Sequence, residues 1–133
     1  MGYRSDVLIA VAFESKEHRD EVWAVYCMDQ RVKDHALAGA WKNYDEGEYP
    51  VLWYQNHGVK WYDSYAEVQG IEHMIDVASN FAQERGLHYA ANMLRVGEEM
   101  TDIEHIEKHA DSDMMSFLWQ LCDVERTITH NFS

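Results

Sequence analysis

The clearest pattern along the chain is the unbroken apolar run Val7-Leu8-Ile9-Ala10-Val11-Ala12-Phe13, bounded by Asp6 and Glu14. A short continuous run with β-branched members predicts a central strand buried on both faces, since a strand with one wet face would alternate. Ser15 follows as an N-cap, with Glu17 in the first turn where a carboxylate favours the helix dipole. Val22, Val25, Tyr26 and Val32 recur at helical spacing and predict a helix from about Lys16 to about Lys33, with Asp29 interrupting the stripe near its far end.

Residues 39–47 are mixed and polar, with a short strand expected around Ala40–Tyr44 before a turn at Asp45-Glu46-Gly47. Val51–Gln55 and Val59–Asp63 are both β-rich and flank Asn56-His57-Gly58. The expectation is a hairpin, and the alternative is one long strand with a bulge at Gly58. Ser64 and Glu67 have capping-box spacing, and Val68, Ile71, Ile75, Ala78 and Ala82 form a helical stripe, so Ser64–Arg85 predicts a helix that Gly86 stops. Leu87–Val96 and Met114–Cys122 fit either a strand or a helix. Thr101–His109 predicts a short acidic helix with Ile103 and Ile106 inward, and Val124–His130 a strand. Without an internal repeat or linker, residues 1–133 form one globular α+β domain. An antiparallel sheet with helices packed on one face is expected, and a ferredoxin-like arrangement is one form of it.

Composition supports a folded chain. Of 133 residues, 47% are hydrophobic and 13% aromatic, with a single proline, Pro50; acidic disordered tails lack such apolar content. No secretory leader is recognisable, and Val7–Phe13 is too short to span a bilayer. Cys27 and Cys122 sit among apolar residues and read as reduced, packed thiols, which places the chain in a cytoplasm and away from membranes.

Charge changes the picture. Twenty-four Asp and Glu face eleven Lys and Arg, a net charge of -13. Between Glu98 and Asp113, the acids Glu98, Glu99, Asp102, Glu104, Glu107, Asp111 and Asp113 face the single base Lys108. Such a field repels nucleic-acid backbones and steers basic surfaces toward the protein, so direct nucleic-acid binding is not expected.

Three stretches resemble a group of small bacteriophage proteins: Gly2-Tyr3-Arg4-Ser5-Asp6-Val7; Lys60-Trp61-Tyr62-Asp63 leading into Glu67-Val68 and Ile71-Glu72; and Arg95-Val96-Gly97-Glu98 followed by Asp102-Ile103-Glu104. Ala66, where that group tends to carry proline, and a longer stretch between Lys33 and Tyr49 depart from it. The resemblance implies a compact α+β fold, made in an infected bacterial cytoplasm, with a host-takeover or counter-defence role. It brings no catalytic residues.

Candidate chemistry is sparse. On the expected acidic helix, His105 and His109 share one face, and Asp102 and Asp113 complete a two-His, carboxylate set of the kind that binds metal. The Glu of the helical zinc-protease signature is misplaced here, and a solvated face is the plainer reading. No nucleophile elbow or phosphate loop occurs, and no cofactor is called for. Trp53, Tyr54, Trp61, Tyr62 and Tyr65 are more informative. Neighbours on a strand point to opposite faces, so one of each Trp-Tyr pair is expected to face outward, where Trp and Tyr serve as interface anchors; cross-strand packing is the plainer alternative.

The leading expectation is therefore a non-enzymatic interaction protein. Trp53, Tyr54, Trp61 and Tyr62 would dock on a host or phage protein with a basic surface, and Glu98, Glu99, Asp102 and Glu104 would steer it. The alternatives are a small metal-dependent or ligand-binding enzyme using His105 and His109, and a structural homo-oligomer.

Overall fold

The computed structural model describes residues 2–99, 101–124, 128–130 and 132. Five strands form one antiparallel sheet: β1 (Ser5–Phe13), β2 (Lys42–Tyr44), β3 (Val51–Val59), β4 (Tyr89–Gly97) and β5 (Ile103–His109), in spatial order β2-β3-β1-β4-β5. Helices α1 (Lys16–Tyr26), α2 (Gln30–Asp34) and α3 (Ala66–Arg85) lie between the strands in sequence, and α4 (Ser112–Leu121) follows β5. The first four strands with α1 and α3 have the βαββαβ order of a ferredoxin-like unit. β5, α4 and the small ribbon of β6 (Cys122–Val124) and β7 (Ile128–His130) are added at its C-terminal end. Among the described residues no helix is long and apolar enough to cross a membrane.

β1 is the central strand that its composition predicts, and every residue from Val7 to Phe13 is fully buried. Its two faces differ in bulk. Val7, Ile9, Val11 and Phe13 meet α1 and α3, where Val22, Tyr26, Met74 and Ala78 fill the layer. Leu8, Ala10 and Ala12 face the other way, and the small alanines leave room for Trp53, Met114 and Leu118. Each large apolar side chain so buried contributes about 1.5–3 kcal/mol. Three helices thus share one face, as the pattern predicts, while α4 covers the opposite face.

That second cover corrects the aromatic expectation. Tyr54 packs in the core beneath the helices, and Trp53 points the other way but stacks on Phe132 at 5.3 Å. Both are buried, so neither is a free anchor.

Four local expectations are also corrected. The helix from Lys16 breaks after Tyr26, because Asp29 accepts the Arg31 and Val32 N–H groups and starts α2 afresh, and Val25, within α1, is exposed rather than part of the buried stripe. The hairpin at Asn56-His57-Gly58 is instead one strand. Its irregularity falls at Gly58, which has a φ of +62° that glycine alone adopts freely, opposite a register shift between Ser5 and Val7. α3 begins after Tyr65 without a side-chain cap, so Ser64 and Glu67 form no capping box; Glu67 lies 3.3 Å from His35 instead. Finally, Ile103–His109 is a strand, held by β4 along its whole length.

Leu87–Val96 resolves as β4, Met114–Cys122 as α4, and the expected strand Val124–His130 as β6 and β7, with 125–127 outside the described residues. Both cysteines are free thiols, and burial pushes Cys122 up to about 12.

Candidate functional site

The three stretches Gly2–Ser5, Lys60–Tyr62 and Arg95–Glu104 are remote in sequence but meet at one end of the sheet. Register brings them together, since Ser5 pairs with Val59 on one side and with Gly97 on the other. The Tyr3 N–H donates to the Tyr62 hydroxyl at 2.7 Å. The Tyr3 hydroxyl donates to Asp102 Oδ2 at 2.6 Å and accepts the Glu99 N–H at 3.0 Å. Arg95 clasps the same carboxylate with both arms, Nη1 to Oδ2 at 3.1 Å and Nη2 to Oδ1 at 2.8 Å, and donates to Ser5 Oγ at 3.0 Å. Arg4 closes the rim, its N–H on Glu98 Oε1 and its guanidinium on the Gly58 carbonyl.

Gly97 is required by this closeness. A Cβ there would collide with the Asp102 carboxylate and the Tyr3 ring. The electrostatics follow the hydrogen bonds. Arg95 first and Tyr3 second hold the Asp102 carboxyl below its ordinary range, and Asp102 in turn raises both Arg95 and Tyr3.

Beside this network lies a hollow of about 310 Å³, lined by Tyr3, Trp61, Tyr62, Asp63, Arg95, Asp102 and Glu104. The Trp61 indole N–H donates to Glu72 Oε1 at 3.2 Å. Burial pushes the Glu72 carboxyl up; the Trp61 N–H opposes this, and the negative charges of Asp63, Glu104 and Asp76 push it further. Carboxylates from the β3–α3 connection, α3 and β5 therefore crowd one place. Arg95 grips Asp102 and also lies 3.7 Å from Glu104, and Lys108 reaches Asp76 at 3.4 Å. Trp61 also lines a second cleft of about 470 Å³, walled by Tyr54, Val68 and Ile71 and rimmed by His35, Lys60, Tyr65 and Glu67.

The expected site residues are thus redistributed. Trp61, Tyr62, Asp102 and Glu104 come together, Glu98 and Glu99 form the exposed turn next to them, and Trp53 and Tyr54 are core. The acidic run from Glu98 to Asp113 is one patch only in sequence. On β5, Glu104 projects to the α3 face and Glu107 to the α4 face, while Asp111 caps α4 and meets His88 at 2.7 Å.

The metal set does not assemble. On a strand His105 and His109 share a face but lie roughly 13 Å apart along it. His105 packs against Trp119, Asp102 belongs to Arg95 and Tyr3, and Asp113 sits in the first turn of α4. Among the described residues no group of three His, Cys, Asp or Glu is placed to hold a metal ion.

Tyr3, Asp63, Glu72 and Arg95 were not among the candidates drawn from the sequence. Their signal was present as the three short stretches, each too brief to announce that they touch. No protein-family model matches the chain, and no curated protein or solved structure does.

Proposed function

We propose that this chain is a phage-encoded, non-enzymatic interaction protein that docks its acidic hollow on a basic protein surface, with a host defence or nucleic-acid-binding protein as the natural target. The observation that carries this reading is the hollow lined by Asp63, Glu104 and the rings of Trp61 and Tyr62; burial first, and then these carboxylates, push up the half-buried Glu72 carboxyl that accepts the Trp61 indole N–H. An incoming guanidinium or ammonium group relieves that repulsion and gains ring faces to lie against, a pairing worth more as water leaves. The net charge of -13 speeds the encounter with basic partners and disfavours nucleic acid itself.

The test compares the tagged wild type with an Asp63→Asn/Glu72→Gln/Glu104→Gln variant, each used to capture proteins from bacterial lysate at low and high salt. A basic protein held by the wild type, released by salt and lost from the variant is expected. Identical captures by both proteins would overturn the reading.

A further inference from the structure

β5 is an open edge. It is seven residues long, contains no proline or glycine, and all its residues except Ile106 are exposed. An edge of this kind presents unpaired backbone groups to any strand that fits, and natural sheets usually blunt it. The direction of those groups follows from the ladder with β4. The Gly97 N–H donates to the Asp102 carbonyl and the Ala110 N–H to the Tyr89 carbonyl, so the even-numbered residues of β5 bond inward. His105, Glu107 and His109 therefore turn their N–H and C=O groups outward, as Ile103 does its C=O, while the Ile103 N–H donates to the Thr101 carbonyl at 3.0 Å.

We infer that this edge pairs with β5 of a second copy of the same chain, antiparallel about a two-fold axis at Ile106. The sequence Ile103-Glu104-His105-Ile106-Glu107-Lys108-His109 is complementary to itself in that register. Glu104 faces Lys108 of the second copy, His105 faces Glu107, Ile106 faces Ile106, and Ile103 faces His109. Every charge meets an opposite charge or an imidazole, and the central contact is apolar. Backbone parity agrees, because His105 and Glu107, which turn outward, face one another and can exchange both of their hydrogen bonds. Shifting the centre by one residue in either direction sets His105 against His105 or Glu107 against Glu107, and the Glu104–Lys108 pairing is lost. Like charges directly opposite destabilise a sheet, so the Ile106 register is selected over its neighbours.

The result is a continuous ten-stranded sheet with both sets of helices on matching faces, an isologous dimer that removes the open edge. It stands independently of the basic-partner reading, although Glu104 belongs to both: Lys108 of the second copy would arrive at the lip of the acidic hollow and compete with a basic ligand there.

The experiment is sedimentation equilibrium of the full chain at about 0.15 M salt, where long-range repulsion between the copies is screened, with hydrogen exchange followed over the same protein concentrations. The expected mass rises with concentration toward twice 15.6 kDa. The amides of His105 and Glu107 gain protection in step with it, while those of Glu104, Ile106 and Lys108, already bonded to β4, change little. Lys108→Glu, an exposed substitution, sets like charges opposite each other twice per dimer and is expected to weaken association about tenfold. Ile106→Cys in a Cys27→Ser background is expected to form an intermolecular disulfide with oxidised glutathione, because Cα atoms of a non-hydrogen-bonded antiparallel pair lie about 4.5 Å apart, within disulfide reach. A monomeric mass throughout, or a dimer that leaves the His105 and Glu107 amides unprotected, overturns the inference.

Discussion

The hydroxyl of Tyr3 donates a 2.6 Å hydrogen bond to Oδ2 of Asp102, joining residues 99 positions apart in the chain. With Arg95 on the same carboxylate, that bond ties the start of β1 to the β4–β5 turn and shapes one wall of the acidic hollow.

Asp102 makes this end of the sheet sensitive to acid. Its carboxyl is held below the ordinary value of 3.8, so its contribution to stability is complete above that value and fades as pH falls through the lowered one. Asp102→Asn is therefore expected to lower the urea midpoint at pH 7 and to lower it by less at pH 3, where the unfolded carboxyl is already largely protonated. Urea titrations of both proteins at the two pH values check this; a constant difference would refute it.

Gly97→Ala places a methyl group where the Tyr3 ring and the Asp102 carboxylate already lie. Overpacking of this kind costs about 1–3 kcal/mol. Equilibrium unfolding should show that loss, and Tyr3→Phe in the same chain should not recover it, since the ring remains.

Tyr26 carries the most consequential buried hydroxyl. It donates to the Gly70 carbonyl at 2.9 Å and accepts the Trp41 indole N–H at 3.0 Å, and burial pushes its pKa up to about 12. Tyr26→Phe leaves the Trp41 indole N–H buried and unpaired, while the Gly70 carbonyl keeps its place in the α3 ladder, an expected loss of about 1–3 kcal/mol. Denaturant unfolding measures the loss, and the shift of Trp41 fluorescence in the folded protein reports the freed indole.

His18 supplies a second pH dependence, acting in the physiological range. Its Nδ1 accepts the Glu14 N–H, so the proton is on Nε2, and the ring is buried between Phe13 and Phe81. Burial lowers its pKa from 6.5, outweighing the opposing fields of Glu14 and Glu21. The unfolded chain then binds a proton that the folded chain refuses, and stability falls as pH drops below 6.5. His18→Gln should be less stable at pH 7.5 yet lose less on going to pH 5.5, as thermal melts at the two pH values would show.

Much of the fold was legible wherever local chemistry and tertiary demand agree. The run Val7–Phe13 has only one use in a domain this small, and it became the central strand. Ser15 capped α1, and the stripe from Val68 to Ala82 became the buried face of α3, ending at Gly86. The failures have specific causes. Asp29 captured two backbone N–H groups that a continuous helix would have used internally. Ile103–His109 carries isoleucines at a spacing of three that suits a helix, but β4 offered it a full ladder of backbone hydrogen bonds.

The sequence alone determined the class of the fold and the charge of the protein: apolar runs and stripes specified an α+β domain, and twenty-four acids against eleven bases set a net charge of -13. Only the tertiary structure decided where that chemistry meets. Strand register set Gly2–Ser5 between Val59 and Gly97, and so joined Tyr3, Trp61, Arg95 and Asp102 across most of the chain. Phe132 and α4 together decided that Trp53 is core rather than anchor, because they cover the face that a bare sheet would have left to solvent. Strand alternation split the acidic run between two faces, and a strand's longer rise held His105 and His109 apart. Composition and periodicity are properties of neighbours along the chain, whereas a site depends on distances between residues that the fold alone brings together.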